Sequence, residues 1–165
     1  MNDSAAGNLP RHIGIFTARA IRRNIMCNTL VMVVDEHPLI RSAVTALIKR
    51  KGEQTLDTGC HLKAIKLITA YKPDLIILEI LKQEGLALDF VKKIKAISPR
   101  SKILIFSALR SVIFIRKCLA AGVQGYVNKR ESLDNLEGVI DAVLSGHCCF
   151  PDIDLSNDTS AMLLM

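Results

Sequence analysis

Four short apolar runs, each closed by a polar residue, constrain this chain more than any other feature. They are Val31-Met32-Val33-Val34 before Asp35-Glu36, Leu75-Ile76-Ile77-Leu78 before Glu79, Ile103-Leu104-Ile105-Phe106 before Ser107, and Gly125-Tyr126-Val127-Asn128 before Lys129. Runs this short and unbroken read as strands covered on both faces, which is the signature of a parallel sheet. In an open α/β sheet, sites are built beyond the carboxyl ends of the strands. An acid pair, an acid, a hydroxyl and an ammonium are therefore predicted to meet in one pocket.

Between the runs the apolar spacing turns helical. Residues 38–50 place Ile40, Val44, Leu47 and Ile48 on one face, with Pro38 suited to the first turn and Gly52 to the stop. A weak strand is expected near 54–58, and a helix at 61–71. The third strand is expected at 74–79, followed by a helix over 87–97 that presents Phe90, Val91, Ile94 and Ile97 and ends before Pro99. A strand at 102–107, a helix near 110–121 ending at Gly122 and a strand at 124–127 come next. The last helix is expected at 132–145, with Ser132 as N-cap and a core stripe of Leu133, Leu136, Val139, Ile140, Val143 and Leu144. Alternation of strand and helix makes the fold class α/β, a doubly wound sandwich with helices on both faces.

At 165 residues the chain reads as one domain with two appendages. Residues 1–29 carry Arg11, Arg19, Arg22 and Arg23 against the single acid Asp3. Three readings compete for this basic extension: a flexible arm, a targeting segment, or sequence translated upstream of a start at Met26. The first and third are favoured, and no apolar core of a cleaved leader is present. Residues 30–150 form the domain, and 151–165 a short tail. The net charge of +6 suits an anionic partner, but runs such as Lys92-Lys93-Ile94-Lys95 read equally as a solvated helix face. No apolar run approaches the roughly 20 residues of a membrane span. The five cysteines, Cys27, Cys60, Cys118, Cys148 and Cys149, include no C-x-x-C pair and fit reduced thiols in the cytoplasm.

Motif order sharpens this reading. Val33 to Arg41 (Val-Val-Asp-Glu-His-Pro-Leu-Ile-Arg), Pro73 to Leu78 (Pro-Asp-Leu-Ile-Ile-Leu), Phe106-Ser107-Ala108, and Ala121 to Lys129 (Ala-Gly-Val-Gln-Gly-Tyr-Val-Asn-Lys) follow one another at characteristic spacing. The arrangement resembles the receiver domain of bacterial two-component response regulators. These have the CheY-like, flavodoxin-type fold of five parallel strands in order 2-1-3-4-5. The likeness covers about 30–150, and the His37-Pro38 opening with the Gly146 to Pro151 ending resembles NarL/LuxR-type receivers of fimbrial and virulence regulators.

The resemblance carries implications for single residues. In the family a kinase phosphohistidine gives its phosphoryl group to an aspartate, and Glu79 stands at that position. Mg²⁺ would be held by Asp35, Glu36, Glu79 and the backbone carbonyl of Leu81. Ser107 would bond a phosphoryl oxygen, Lys129 would pair with it, and Tyr126 would be the aromatic that turns inward. Glu79 departs from the pattern: its carboxylate reaches roughly 1.3–1.5 Å farther than an aspartate's. An error of about 1 Å can cost on the order of 10²-fold in rate. The loop Leu81 to Ala87 lacks the family's proline, and Lys82 is placed to neutralise Glu79. Mg²⁺ binding is thus expected to be weak or absent. The helix-turn-helix output module of such regulators is not expected in this chain, nor is direct DNA binding.

The expected function is that of a degenerate, non-enzymatic receiver in phosphorelay signalling linked to transcription regulation. Its partner would be a sensor histidine kinase or another regulatory protein, and a homodimer would form through helix 4, strand 5 and helix 5. Ile113, Phe114 and Ile115 lie on that helix, and three adjacent apolar residues require at least one to face outward. Two alternatives stand beside this: a working Mg²⁺-dependent phosphoacceptor, and a nucleotide-binding α/β enzyme. The latter lacks G-x-G-x-x-G, G-x-x-x-x-G-K-[ST] and nucleophile-elbow motifs.

Overall fold

The structure, a computed structural model, describes residues 29–80 and 84–151. The expectations for 1–28, for Leu81 and Lys82, and for 152–165 lie outside the described residues. Five strands, β1 (Leu30–Val34), β2 (Gln54–Thr58), β3 (Leu75–Leu78), β4 (Lys102–Ser107) and β5 (Gly125–Asn128), pair in parallel in the order β2-β1-β3-β4-β5. Five helices alternate with them: α1 (Pro38–Arg50), α2 (His61–Tyr71), α3 (Glu84–Ile97), α4 (Val112–Ala120) and α5 (Leu133–Leu144). The fold is the doubly wound five-stranded α/β sandwich expected.

Alternate residues of each buried strand serve opposite layers, as strand geometry requires. On one face, Met32, Ile76, Leu78 and Ile103 pack with Ile68 of α2, Val91 and Ile94 of α3, and Phe114 of α4. On the other, Val31, Val33, Ile77 and Leu104 pack with Val44 and Leu47 of α1 and Ile140 of α5. At about 25 cal/mol per Å² of apolar surface, these two layers supply the dominant stabilisation. No helix among the described residues is long and apolar enough to cross a membrane.

The local signals behave as chemistry dictates, with instructive exceptions. Ser132 caps α5 by accepting from the Asn135 amide at 3.2 Å, and Gly52 and Gly122 take positive φ where α1 and α4 end. Helix α3 begins at residue 84 rather than 87, with Gly85 inside its first turn. Leu133 does not join the core stripe: it is the first residue of α5 and 45% exposed. Of the three apolar residues on α4, Ile113 faces outward while Phe114 and Ile115 are buried. After α5 the chain returns to the open edge of β5, where Cys149 pairs with Gly125 in a parallel bridge. A side chain there would make its neighbours shift: a Cβ on Gly125 would stand 2.8 Å from Leu104 Cδ1 and 3.0 Å from Val143 Cγ2. None of Cys60, Cys118, Cys148 and Cys149 is in a disulfide.

Candidate functional site

The sheet's hydrogen-bond ladder runs one residue past the strands and thereby places the polar tips. The Asp35 amide donates to the Thr58 carbonyl at 3.1 Å, the Glu79 amide to Val34 at 2.8 Å, and the Lys129 amide to Ser107 at 2.9 Å. Asp35, Glu79 and Lys129 are thus fixed on neighbouring strand ends, with side chains converging above β1, β3 and β5.

Their side chains form a compact ionic cluster. Lys129 Nζ lies 2.6 Å from Asp35 Oδ2 and also bonds Glu79 Oε1. The side chains are nearly dry, at 11% exposed for Lys129, 10% for Glu79 and 3% for Asp35, so the attraction is little screened by solvent. The Lys129 ammonium also lies 5.8 Å from the Phe106 ring centroid. Burial alone would push the Asp35 carboxyl up. Hydrogen bonds involving Glu79, Lys129 and the His37 amide, with the Lys129 charge, outweigh it and hold Asp35 below its ordinary value.

His37, noted in the sequence only as part of the His37-Pro38 opening and given no site role there, completes the cluster. Its amide donates to Asp35 Oδ1 at 2.8 Å, and its Nδ1 stands 3.2 Å from that oxygen and 3.3 Å from Glu79 Oε2. The Glu79 charge, and then the hydrogen bond to Asp35, raise the His37 pKa above its usual value. Arg41 closes the β1–α1 loop from outside: its Nη1 donates to the Asp35 carbonyl at 2.8 Å and the Glu36 carbonyl at 3.1 Å, and its Nε to Asp57. The signal for His37 lay in the Asp35-Glu36-His37-Pro38 string, but its contact with Glu79 spans 42 residues and no local spacing predicts it.

The remaining expected residues fall nearby. Ser107 is buried, donates to the Ile80 carbonyl at 3.3 Å and accepts from the Leu109 amide at 3.2 Å. Tyr126 is buried, and its hydroxyl donates to the Leu109 carbonyl at 2.8 Å. Asn128, also not foreseen, is buried beside it: its Nδ2 shares the Leu109 carbonyl at 3.2 Å and its Oδ1 accepts from the Arg130 amide. The loop after β4 is therefore held by the same strand that carries Lys129.

The expected Mg²⁺ ligand set fits this pocket poorly. Asp35 and Glu79 offer hard oxygens, which suit Mg²⁺. The side chain of Glu36 is exposed and stands outside the ligating trio; Glu36 gives the pocket its amide, which donates to Glu79 Oε2 at 3.1 Å. Lys129 already takes one oxygen from each buried carboxylate, and the third converging ligand atom is an imidazole nitrogen. Asp35, His37 and Glu79, with ligand atoms within 4.8 Å of one another, make a weak potential site for a divalent cation.

Comparisons with known proteins agree with the architecture. The family model "Response regulator receiver domain" matches residues 31–141. The Fimbriae Z protein of Salmonella typhimurium is 29% identical over 128 residues, covering 76% of this chain and 61% of that protein. The DNA-binding transcriptional activator EvgA of Escherichia coli is 26% identical over 121 residues, covering 73% and 59%. The chain thus spans about three fifths of the length of these curated relatives. The crystal structure of a LuxR-family two-component response regulator from Aurantimonas superposes with a TM-score of 0.67 at 27% identity, covering 74% of this chain and 89% of that one. A LuxR-family DNA-binding response regulator from Staphylococcus aureus gives 0.62 at 27% identity, covering 70% and 98%. With strand order, pocket position and matched span in agreement, the chain belongs to the response regulator receiver domain family, a class of signalling domains rather than of catalytic enzymes.

Proposed function

We propose that this is a degenerate receiver that signals through protein contacts without ordinary aspartyl phosphorylation. The carrying observation is the engagement of Lys129 by Glu79 and Asp35 together. In the resemblance, Lys129 is the residue that would pair with a phosphoryl oxygen; here a resident carboxylate occupies it. Glu79 thereby takes up, from within the chain, the charge a phosphoryl group would otherwise supply. A carboxylate has less charge and fewer acceptor oxygens than a phosphate, so the resulting state is only partly that of a phosphorylated receiver. The inward, hydrogen-bonded Tyr126 supports the same reading.

Its partners on this reading are a sensor histidine kinase or another regulatory protein, met on the α4–β5–α5 side, where Ile113 and Leu119 are each 50% exposed. A homodimer through that face is part of the proposal, as is a link to transcription regulation, which rests on the names of the relatives. The test is exposure of the chain to acetyl phosphate and Mg²⁺, followed by intact-mass measurement, with Glu79→Asp in parallel. The unmodified mass is expected for the chain itself. A Mg²⁺-dependent phosphoryl adduct on residue 79 of the unaltered chain would overturn the proposal.

A further inference from the structure

Parallel strand pairing points every helix the same way. The first turns of the helices lie at the carboxyl end of the sheet and their last turns at the amino end. Exposed apolar side chains divide unevenly between the two ends. Leu39, Leu62, Leu86, Ile113 and Leu133 each stand in the first turn of a helix. Among the described residues, the amino end shows Tyr71 and Leu119, on α2 and α4 with α3 between them.

The amino end is basic instead. Helix ends leave carbonyls that favour cations, and three lysines serve carbonyls there. Lys72 bonds the Ile97 carbonyl, Lys95 the Ser101 carbonyl at 3.2 Å and Lys102 the Leu144 carbonyl at 2.6 Å. A second set of cations points away from these bonds. Lys49 and Arg50 in the last turn of α1, Arg100 between α3 and β4, and Lys117 in the last turn of α4 are exposed. None of the four is ion-paired among the described residues. Of the acids at this end, Asp141 pairs with Lys51, Asp74 accepts from the Leu30 amide at 2.8 Å, and Glu53 is half-buried. Residues 1–28, with Arg11, Arg19, Arg22 and Arg23 against Asp3, join the domain at the same end, ahead of β1.

We propose that this amino-end face, carried by Lys49, Arg50, Arg100 and Lys117, binds the phosphate backbone of duplex DNA without reading its sequence. Composition selects that partner. Protein interfaces are built around apolar and aromatic centres and are depleted in Lys, and a membrane surface needs apolar anchors beside its cations. Tyr71 and Leu119, held apart by α3, make no such centre. Phosphate backbones need Lys and Arg alone. Size agrees: five strands about 4.8 Å apart span ~19 Å, about half of a duplex turn of ~34–36 Å. The expectation of no direct DNA binding followed the helix-turn-helix module, which reads base edges. Phosphate contact carries no sequence information and needs no such module. The face lies at the opposite end of the sheet from the pocket, so the inference is independent of what residue 79 accepts.

Short fluorescein-labelled duplexes of two unrelated sequences are titrated with the full chain and read by anisotropy at several salt concentrations. Binding with a Kd on the order of 10⁻⁶ M at low salt is expected, alike for both sequences, with log K falling against log salt at a slope of about −3 or steeper. In Arg50→Gln/Arg100→Gln/Lys117→Gln the affinity is expected to fall about tenfold or more and the slope to flatten by about 3. Lys63→Gln/Lys66→Gln/Arg110→Gln lowers the net charge equally, away from the face, and is expected to bind as the unaltered chain does. Phosphatidylserine vesicles are expected not to retain the chain. The proposal is overturned by no duplex binding, by equal loss in both triple variants, or by a marked preference for one sequence. Undiminished binding in the first variant, which would leave the duplex to residues 1–28, also overturns it, as does vesicle retention that the first variant abolishes.

Discussion

Both ends of the sheet carry a lysine within a polar cluster, but the two clusters are built from different chemistry. At the amino ends, the hydroxyls of Ser98 and Ser101 lie 2.7 Å apart, and Ser101 donates onward to the Pro73 carbonyl at 2.5 Å. Lys95 donates to the Ser101 carbonyl and to Gln124 Oε1, and the same Gln124 oxygen accepts from the Ile103 amide at 2.8 Å. Burial lowers the Lys95 pKa. At the carboxyl ends, two buried carboxylates face Lys129. The amino-end partners are neutral, so that network fastens loops without an ion pair. The carboxyl-end partners are ions, whose mutual attraction is set against a large desolvation cost. That end can be tipped by one proton, one cation or one substitution.

The difference predicts unequal responses. The largest effect is expected from Lys129→Met, which leaves two buried carboxylates without their counter-ion and costs about 3 kcal/mol or more in urea unfolding. Adding Glu79→Gln to it is expected to restore much of that loss; a double variant no more stable than the single one breaks the ionic account. Next comes Gly125→Ala, which forces a methyl group against Leu104 and Val143 and costs about 1–3 kcal/mol. Ser101→Ala at the amino end is expected to cost about 1–2 kcal/mol, with no change in pH dependence.

The smallest effects are titrations, and they separate the ends most cleanly. Asp35 lies below the ordinary carboxyl value of 3.8. Its contribution is therefore complete above about that pH and is lost as acid carries the folded chain through the lower value. Asp35→Asn is expected to remove that acid-linked part of the unfolding curve. His37 lies above 6.5, so its contribution is full below that pH and fades as the pH rises through the folded value. Glu79→Gln is expected to bring the His37 imidazole resonance back toward the ordinary titration, read by NMR; an unchanged midpoint would remove Glu79 as the cause.

Much of this architecture is legible in the sequence because strand burial and helix spacing are local signals. The runs at 31–34 and 75–78 needed no tertiary information, and α1 and α2 occupy the spans their periodicity predicts. Asp35, Glu79 and Lys129 were also legible as a set, since each follows a buried strand and such ends converge. Glu36 entered the expected ligand set through the resemblance; in the structure its side chain is exposed while its amide turns inward to Glu79. His37 and Asn128 were missed for complementary reasons. One sits where a helix begins and acquires its role only across the fold, and the other is the polar last residue of a run read as apolar. Leu133 fell on the right helical face, but a helix's first residue projects past the layer it would cover.

The bridge between Cys149 and the rim of β5 has one more consequence. The Tyr126 amide donates to the Cys149 carbonyl at 2.8 Å, while the Tyr126 hydroxyl reaches Leu109 in the loop after β4. One residue therefore reads two addresses, the loop above the pocket through its ring and the chain leaving the domain through its backbone. Deuterium uptake at that single amide becomes a built-in gauge of whether the departing segment stays clasped to the sheet while the pocket is altered.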